Sequence, residues 1–157
     1  MAGENDEKIT KKTHTLPIVI GWREWVAFPD LGIDKTIAKM DTGAKSSVIH
    51  AFCIKEIEIE GVRIVEFRLH PAQGKNTPEL FCRAPVIGQR VIRSSNGQTE
   101  QRYVIETRLK LGNMKRKIEL TLTNREEMEY RLLLGRDALR EKYFIDPNAS
   151  YLLGEPA

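Results

Sequence analysis

Turn residues cut this 157-residue chain into short apolar runs at intervals of ~8–12 positions, and that spacing constrains the fold most. Glu60-Gly61, Asn96-Gly97 and Gly112-Asn113 each separate two runs of strand character. Asn-Gly in particular takes the positive φ of a tight hairpin at little cost. Three hairpins are therefore expected. Ile54 to Ile59 alternates apolar with charged residues and returns through Val62 to Leu69, with a slip of phase at Val65-Glu66 that suggests a bulge. Arg90 to Arg93 and Arg102 to Ile105 flank Ser94 to Gln98, and Thr107 to Leu111 faces Lys117 to Leu122. Leu16 to Ile20 (ended by Gly21), Trp22 to Phe28, Thr36 to Met40, Tyr130 to Leu134 and Tyr151 to Leu153 read as further strands. Asn124 to Glu129 reads as one helical turn. A single helix is expected over Arg136 to Tyr143, with Asp137 in the first turn, where the helix dipole favours an anion. Many short strands with one helix near the end predict an all-β fold closed into a barrel.

A hydrophobic fraction of 41% and a charged fraction of 30% fit a soluble globular chain. The length predicts one domain, residues 14–157, behind a charged, aperiodic tail at residues 1–13 that is expected to be mobile. No run approaches the ~18 apolar residues of a membrane helix. No apolar h-region follows Met1, so a cytoplasmic location is expected, with Cys53 and Cys82 reduced. The net charge of +3 is unevenly spread: between Arg83 and Lys117 nine bases face two acids, and from Ile118 onward eight acids face five bases. A basic middle predicts an acidic partner or substrate, or simply a solvated surface.

Asp41 ends the Thr36 to Met40 run and is followed by Thr42, Gly43 and Ala44, which places a carboxylate on a tight turn. Far downstream, Leu132-Leu133-Leu134-Gly135-Arg136-Asp137-Ala138-Leu139 passes from an apolar run through glycine into the helix. Together these segments resemble the retropepsin-like aspartic peptidases, in which an Asp-Thr-Gly-Ala loop is braced by a late apolar strand ending in Gly-Arg. The resemblance runs from about Gly21 to Asp146. Ala38 to Ser47, Arg93 to Gly97, Leu120 to Arg125 and Leu133 to Arg136 are more closely similar to a bacterial subgroup of this fold. That subgroup is labelled an ATP-dependent zinc protease and is commonly encoded beside ATP-grasp ligases that add glutamate.

The resemblance implies an acid-protease barrel that works as a homodimer, because one chain carries one Asp-Thr-Gly and two Asp41 carboxylates are needed. Thr42 would lock the loops across the dimer axis, and Gly43 would admit the substrate backbone. The Ser94 to Gln98 tip would be a flap, with Ala44, Lys45, Arg93, Ser94, Ser95, Gly97 and Arg102 against a peptide substrate. Leu134, Gly135, Arg136 and Asp137 would brace the site. Lys45 stands where viral relatives carry an aspartate, so Asp137 is expected to pair with Lys45. The substrate class implied is a glutamate-rich peptide tail.

Other readings stay open. The histidines are His14, His50 and His70, with no His-Glu-x-x-His and no Cys-x-x-Cys, and Cys53 with His50 lacks further ligands. No metal or cofactor is expected, and no Gly-rich loop suggests direct use of ATP. A Cys–His nucleophile from Cys53 or Cys82 is a weak option. A dimeric binding module for acidic peptides, with Asp41 as a turn residue, is the main alternative. Nucleic acid is not favoured, because Tyr103 is the one aromatic residue in the basic middle. Ser94 to Gly97 also reads as a plain hairpin turn, and Trp22 and Trp25 read as core.

Overall fold

The computed structural model describes residues 16–156, so the expected tail lies outside the described residues. Ten strands and one short helix follow in order: β1 (Ile18–Phe28), β2 (Ile33–Met40), β3 (Ser47–His50), β4 (Phe52–Ile59), β5 (Val62–Leu69), β6 (Leu80–Arg93), β7 (Thr99–Leu111), β8 (Met114–Thr123), β9 (Leu132–Leu134), α1 (Arg136–Leu139) and β10 (Tyr143–Ser150). The sheet order is β10-β1-β2-β9-β3-β8-β7-β6-β5-β4, and β1 also pairs with β7 at Ala27–Lys110. That last pairing closes six strands into a ring, with β10 added on one side and the β4–β6 meander on the other. The all-β expectation holds. Among the described residues, no helix is long and apolar enough to cross a membrane.

Strand alternation decides what fills the ring. Val26 and Phe28 on β1, Ala38 on β2, Ile105 on β7, Leu120 on β8 and Leu134 on β9 have no solvent exposure. Each such large aliphatic or aromatic side chain contributes about 1.5–3 kcal/mol of burial. The two-residue turn at Glu60-Gly61 has φ of 50° and 80° and joins the Ile59–Val62 pair, as a type I′ hairpin requires.

Several boundaries differ from the sequence reading. Gly21 does not end a strand. It sits inside β1, where an added Cβ would lie 2.3 Å from the Ala149 carbonyl oxygen, so glycine lets β10 pass close by. The register against β10 shifts just after it, between Gly21 and Arg23. The runs at Arg102 and Thr107 form one strand, because the alternation continues across Glu106, which pairs with Glu119. The phase slip near Val65 comes from β4: Phe52 pairs with Arg68 and Lys55 with Glu66, and Cys53 takes φ 52° in the bulge between. Asn124 to Glu129 forms no helix, only a turn closed by the Met128 N–H on the Arg125 carbonyl at 3.3 Å. The helix stops at Leu139, because Arg140 leaves helical backbone and Glu141 takes φ 70°. Tyr143 onward then pairs in parallel with β1, a pairing that local helix propensity did not reveal. Tyr151 to Leu153 is a turn, with the Gly154 N–H on the Tyr151 carbonyl at 3.2 Å.

Candidate active site

β9 is three residues long and lies between the strand that leads into Asp41 and the strand that leaves its loop. It runs parallel to β2, pairing Lys39 with Leu133 and Met40 with Leu134. It runs antiparallel to β3, pairing Val48 with Leu133 and Ile49 with Leu132. The Asp41 N–H continues this ladder and donates to the Leu134 carbonyl at 2.8 Å. The Ala44 N–H then donates back to the Asp41 carbonyl at 3.2 Å and closes the turn.

The rest of the loop is held by the start of α1. The Arg136 N–H donates to the Ala44 carbonyl at 2.8 Å and the Asp137 N–H to the Lys45 carbonyl at 3.0 Å. The Gly135 N–H donates to Ser47 Oγ at 3.0 Å, and the Arg136 guanidinium donates through Nη1 to the Thr42 carbonyl at 2.9 Å. Gly135 is needed for space: a Cβ there would meet the Ser46 carbonyl oxygen at 2.5 Å. Asp41 is half-buried on this pinned backbone, while Thr42, Gly43 and Lys45 are exposed. The arrangement offers one carboxylate per chain on a fixed backbone, beside accessible neighbours. Leu134, Gly135 and Arg136 thus all contact the Asp41 loop.

Asp137 reaches Lys45 only through its backbone. Its carboxylate lies 3.8 Å from Arg140 Nη1, so the expected Asp137–Lys45 ion pair is corrected. The β6–β7 hairpin carries the remaining predicted residues. Its tip is closed by the Ser94 N–H on the Gln98 carbonyl at 2.8 Å and the Gly97 N–H on the Ser94 carbonyl at 3.0 Å, with Gly97 at φ 86°. Arg93, Ser95 and Gly97 are exposed there. Arg102 is different: its side chain is 10% exposed and pairs with Glu100 at 3.0 Å, so it offers substrate no free cation. Burial opposes ionisation of Glu100, but Thr123, Arg102 and Arg125 together hold its carboxyl below the usual range.

Arg90, also on β6, was not singled out from the sequence. It donates to Ser46 Oγ at 3.2 Å and to Glu119 Oε1 at 2.7 Å, which ties the hairpin to the Asp41 loop. Its only signal in the sequence was membership of the basic middle. Trp22 and Trp25 are half-buried rather than core: Trp22 meets Tyr130 edge to face and Trp25 stacks on Tyr151.

Among the described residues, no three His, Cys, Asp or Glu side chains converge to hold a metal ion. His50 is buried and accepts the Arg125 N–H on Nδ1 at 3.0 Å. Cys82 is buried, its thiol donates to the Leu31 carbonyl at 3.4 Å, and burial pushes its pKa up to about 11. That disfavours the thiolate a cysteine nucleophile needs. A cavity of about 530 Å³ beside Trp25, Ile37 and Leu80 and one of about 310 Å³ beside His50, His70 and Arg131 both leave Asp41 out of their walls.

Comparison with known proteins adds to this geometry. The family model RimB-like, described as the retropepsin-like aspartic endopeptidase RimB, matches residues 19–156. Proteins named "Probable alpha-L-glutamate ligase" from Shewanella pealeana and Desulfotalea psychrophila are 47% and 44% identical to the chain over 137 residues. The match takes in 87% of this chain, which spans only 30% of the length of either relative. The crystal structure of a Legionella pneumophila protein of unknown function superposes with a TM-score of 0.71 at 31% identity, covering 86% of this chain and 97% of that one.

Proposed function

Because the chain belongs to the RimB-like family of retropepsin-like aspartic endopeptidases, we propose that it hydrolyses peptide bonds with water activated between two Asp41 carboxylates, one from each of two copies. The observation that carries this reading is the pinning of the Asp41 loop by Leu134, Gly135 and Arg136. Two carboxylates ~3 Å apart share one proton. The ionised one takes a proton from water, and the protonated one donates a hydrogen bond to the scissile carbonyl and stabilises its developing charge. A two-fold dimer supplies both from a chain with one Asp-Thr-Gly. Rigid support matters, since a ~1 Å misplacement can cost about a hundredfold in rate.

The proposed substrate is a glutamate-rich peptide in the cytoplasm. Two observations support it: relatives of this sequence are named as glutamate ligases, and exposed Lys45 and Arg93 flank the loop and the hairpin tip. A second reading draws on the same relatives. A domain that makes up 30% of a ligase could hold a glutamate-bearing tail without cutting it.

One experiment separates them. Purified protein and Asp41→Asn are each mixed with a glutamate-extended peptide, and products are read by mass spectrometry with and without a chelator. Cleavage by the wild type alone, indifferent to the chelator, supports the dyad. Binding by both without cleavage supports the module. Chelator-sensitive cleavage that survives Asp41→Asn defeats both in favour of a metal mechanism.

A further inference from the structure

Arg23 is held in one place by neutral partners. Its Nε donates to Ser150 Oγ at 3.1 Å and its Nη1 to the Tyr130 hydroxyl at 2.7 Å. The guanidinium carbon lies 4.6 Å from the Trp22 ring centroid and 5.0 Å from that of Tyr151. No carboxylate among the described residues pairs with it. A guanidinium has five N–H donors. Two are used, so both protons on Nη2 and one on Nη1 have no protein acceptor among the described residues. A partly buried cation kept rigid by aromatic rings and hydroxyls, but left without a counter-charge, is preorganised for a planar anion.

Its position gives that anion a meaning. Arg23 pairs across the antiparallel ladder with Lys39, so both side chains project from the same face of the sheet. Lys39 is exposed, Met40 is buried, and Asp41 is again part-exposed, which continues the alternation onto the face of Lys39 and Arg23. Strand rise and pair spacing put the Arg23 Cα roughly 8–9 Å from that of Asp41. Lys39 has no ion pair among the described residues either. Two unpaired cations therefore stand one residue pair away from the proposed catalytic carboxylate, on its side of the sheet.

We propose that Arg23, assisted by Lys39, is the subsite that recognises an acidic side chain of the peptide, a few residues from the scissile bond. The role rests on the peptidase reading of Asp41, and it assigns acid specificity to the body of the sheet rather than to Arg102 on the hairpin. Arg23 supplies the bidentate fork, Tyr130 and Ser150 fix its plane, and Lys39 adds charge at the open side.

The test compares two peptides of equal length, one with a glutamate run and one with glutamine in its place. The expected result for Arg23→Gln is a KM for the glutamate peptide raised roughly ten- to a hundredfold, with kcat little changed and the glutamine peptide unaffected. Arg23→Lys keeps the charge but not the fork, and should fall between. A glutamate-to-glutamine preference that is unchanged in folded Arg23→Gln overturns the proposal while leaving the peptidase intact. If Arg23→Gln does not fold, Lys39→Gln and Tyr130→Phe carry the test: reduced preference in either supports it, and full preference in both overturns it. If the wild type cleaves neither peptide, the peptidase reading fails, and fluorescence anisotropy on the same peptides decides about Arg23. A preference for glutamate in binding that Arg23→Gln removes supports the subsite, and equal binding or none overturns it.

Discussion

The Asp41 N–H donates to the Leu134 carbonyl at 2.8 Å, so the residue proposed to activate water is fixed to the last residue of a three-residue strand 93 positions later in the chain. Leu134 is itself fully buried between β2 and β3. The core therefore fixes the backbone that carries the carboxylate, without an intervening segment. Disturbing the junction after Leu134 should disturb Asp41 before it unfolds the sheet.

Gly135→Ala tests that coupling. The backbone at Gly135 has φ −87°, which alanine adopts freely, so the effect comes from space alone. The new Cβ would sit 2.5 Å from the Ser46 carbonyl oxygen and 2.8 Å from that of Lys45, and backbone must move. Overpacking of this kind costs about 1–3 kcal/mol. Urea unfolding should show a loss of that size, and peptide cleavage should fall by at least tenfold beyond the change in folded fraction. Normal turnover by a destabilised variant would mean that the loop re-seats itself without this contact.

Much of this arrangement was legible in the residues. Asp41 to Ala44 and Leu132 to Arg136 are local signals with fixed backbone demands, and each was readable from a few adjacent side chains. The hairpin turns at Glu60-Gly61 and Asn96-Gly97 were readable for the same reason. What escaped depends on partners remote in sequence. Tyr143 leaves the helical pattern because β1 offers it a parallel edge 125 residues away, at Ile18. Arg102 looked free because its partner Glu100, two residues earlier on the same strand, is fixed in part by Thr123, which donates to the other Glu100 oxygen and arrives only with β8. Arg23 looked like any charged residue in a strand until Tyr130 and Ser150 closed over it.

The two cysteines should differ sharply in reactivity. Cys53 is exposed, whereas Cys82 is 4% exposed and its thiol pKa is pushed up to about 11 by burial. At pH 8 the thiolate fraction of Cys82 is then on the order of one in a thousand. A chromogenic disulfide reagent should titrate one thiol per chain in native buffer and two in denaturant. Fast native labelling of both would mean that the β5–β6 region opens readily.

Glu24 should be a stability determinant despite its charge. It has no solvent exposure, and its carboxylate accepts the N–H groups of Gly21 at 2.7 Å, Leu152 at 2.9 Å and Leu153 at 3.1 Å. It therefore joins the bulge in β1 to the turn after β10. Glu24→Ala strands three backbone donors, and the cost should be about 3–5 kcal/mol by chemical denaturation. Glu24→Gln keeps one acceptor oxygen and should lose less. A loss under ~1 kcal/mol for Glu24→Ala would show that water replaces the carboxylate at that turn.

Acid sensitivity near neutrality should trace to His50. Burial is the largest influence on it and lowers its pKa from the ordinary 6.5; Arg131 and His70 act in the same direction, while the Thr123 backbone and Glu126 oppose them. Nδ1 must stay unprotonated to accept the Arg125 N–H. The unfolded chain therefore binds more protons than the folded one just below pH 6.5. The stabilisation is fully present above that value and is lost as the pH falls toward and through the lowered folded value. Carboxylates titrate mostly below this window, so a drop in the urea midpoint between pH 7 and pH 5.5 should belong largely to histidine. His50→Asn offers an amide oxygen close to the position of Nδ1 and does not titrate. The variant should lose a distinct part of that pH dependence, and equal slopes for the two proteins would assign the acid sensitivity to another group.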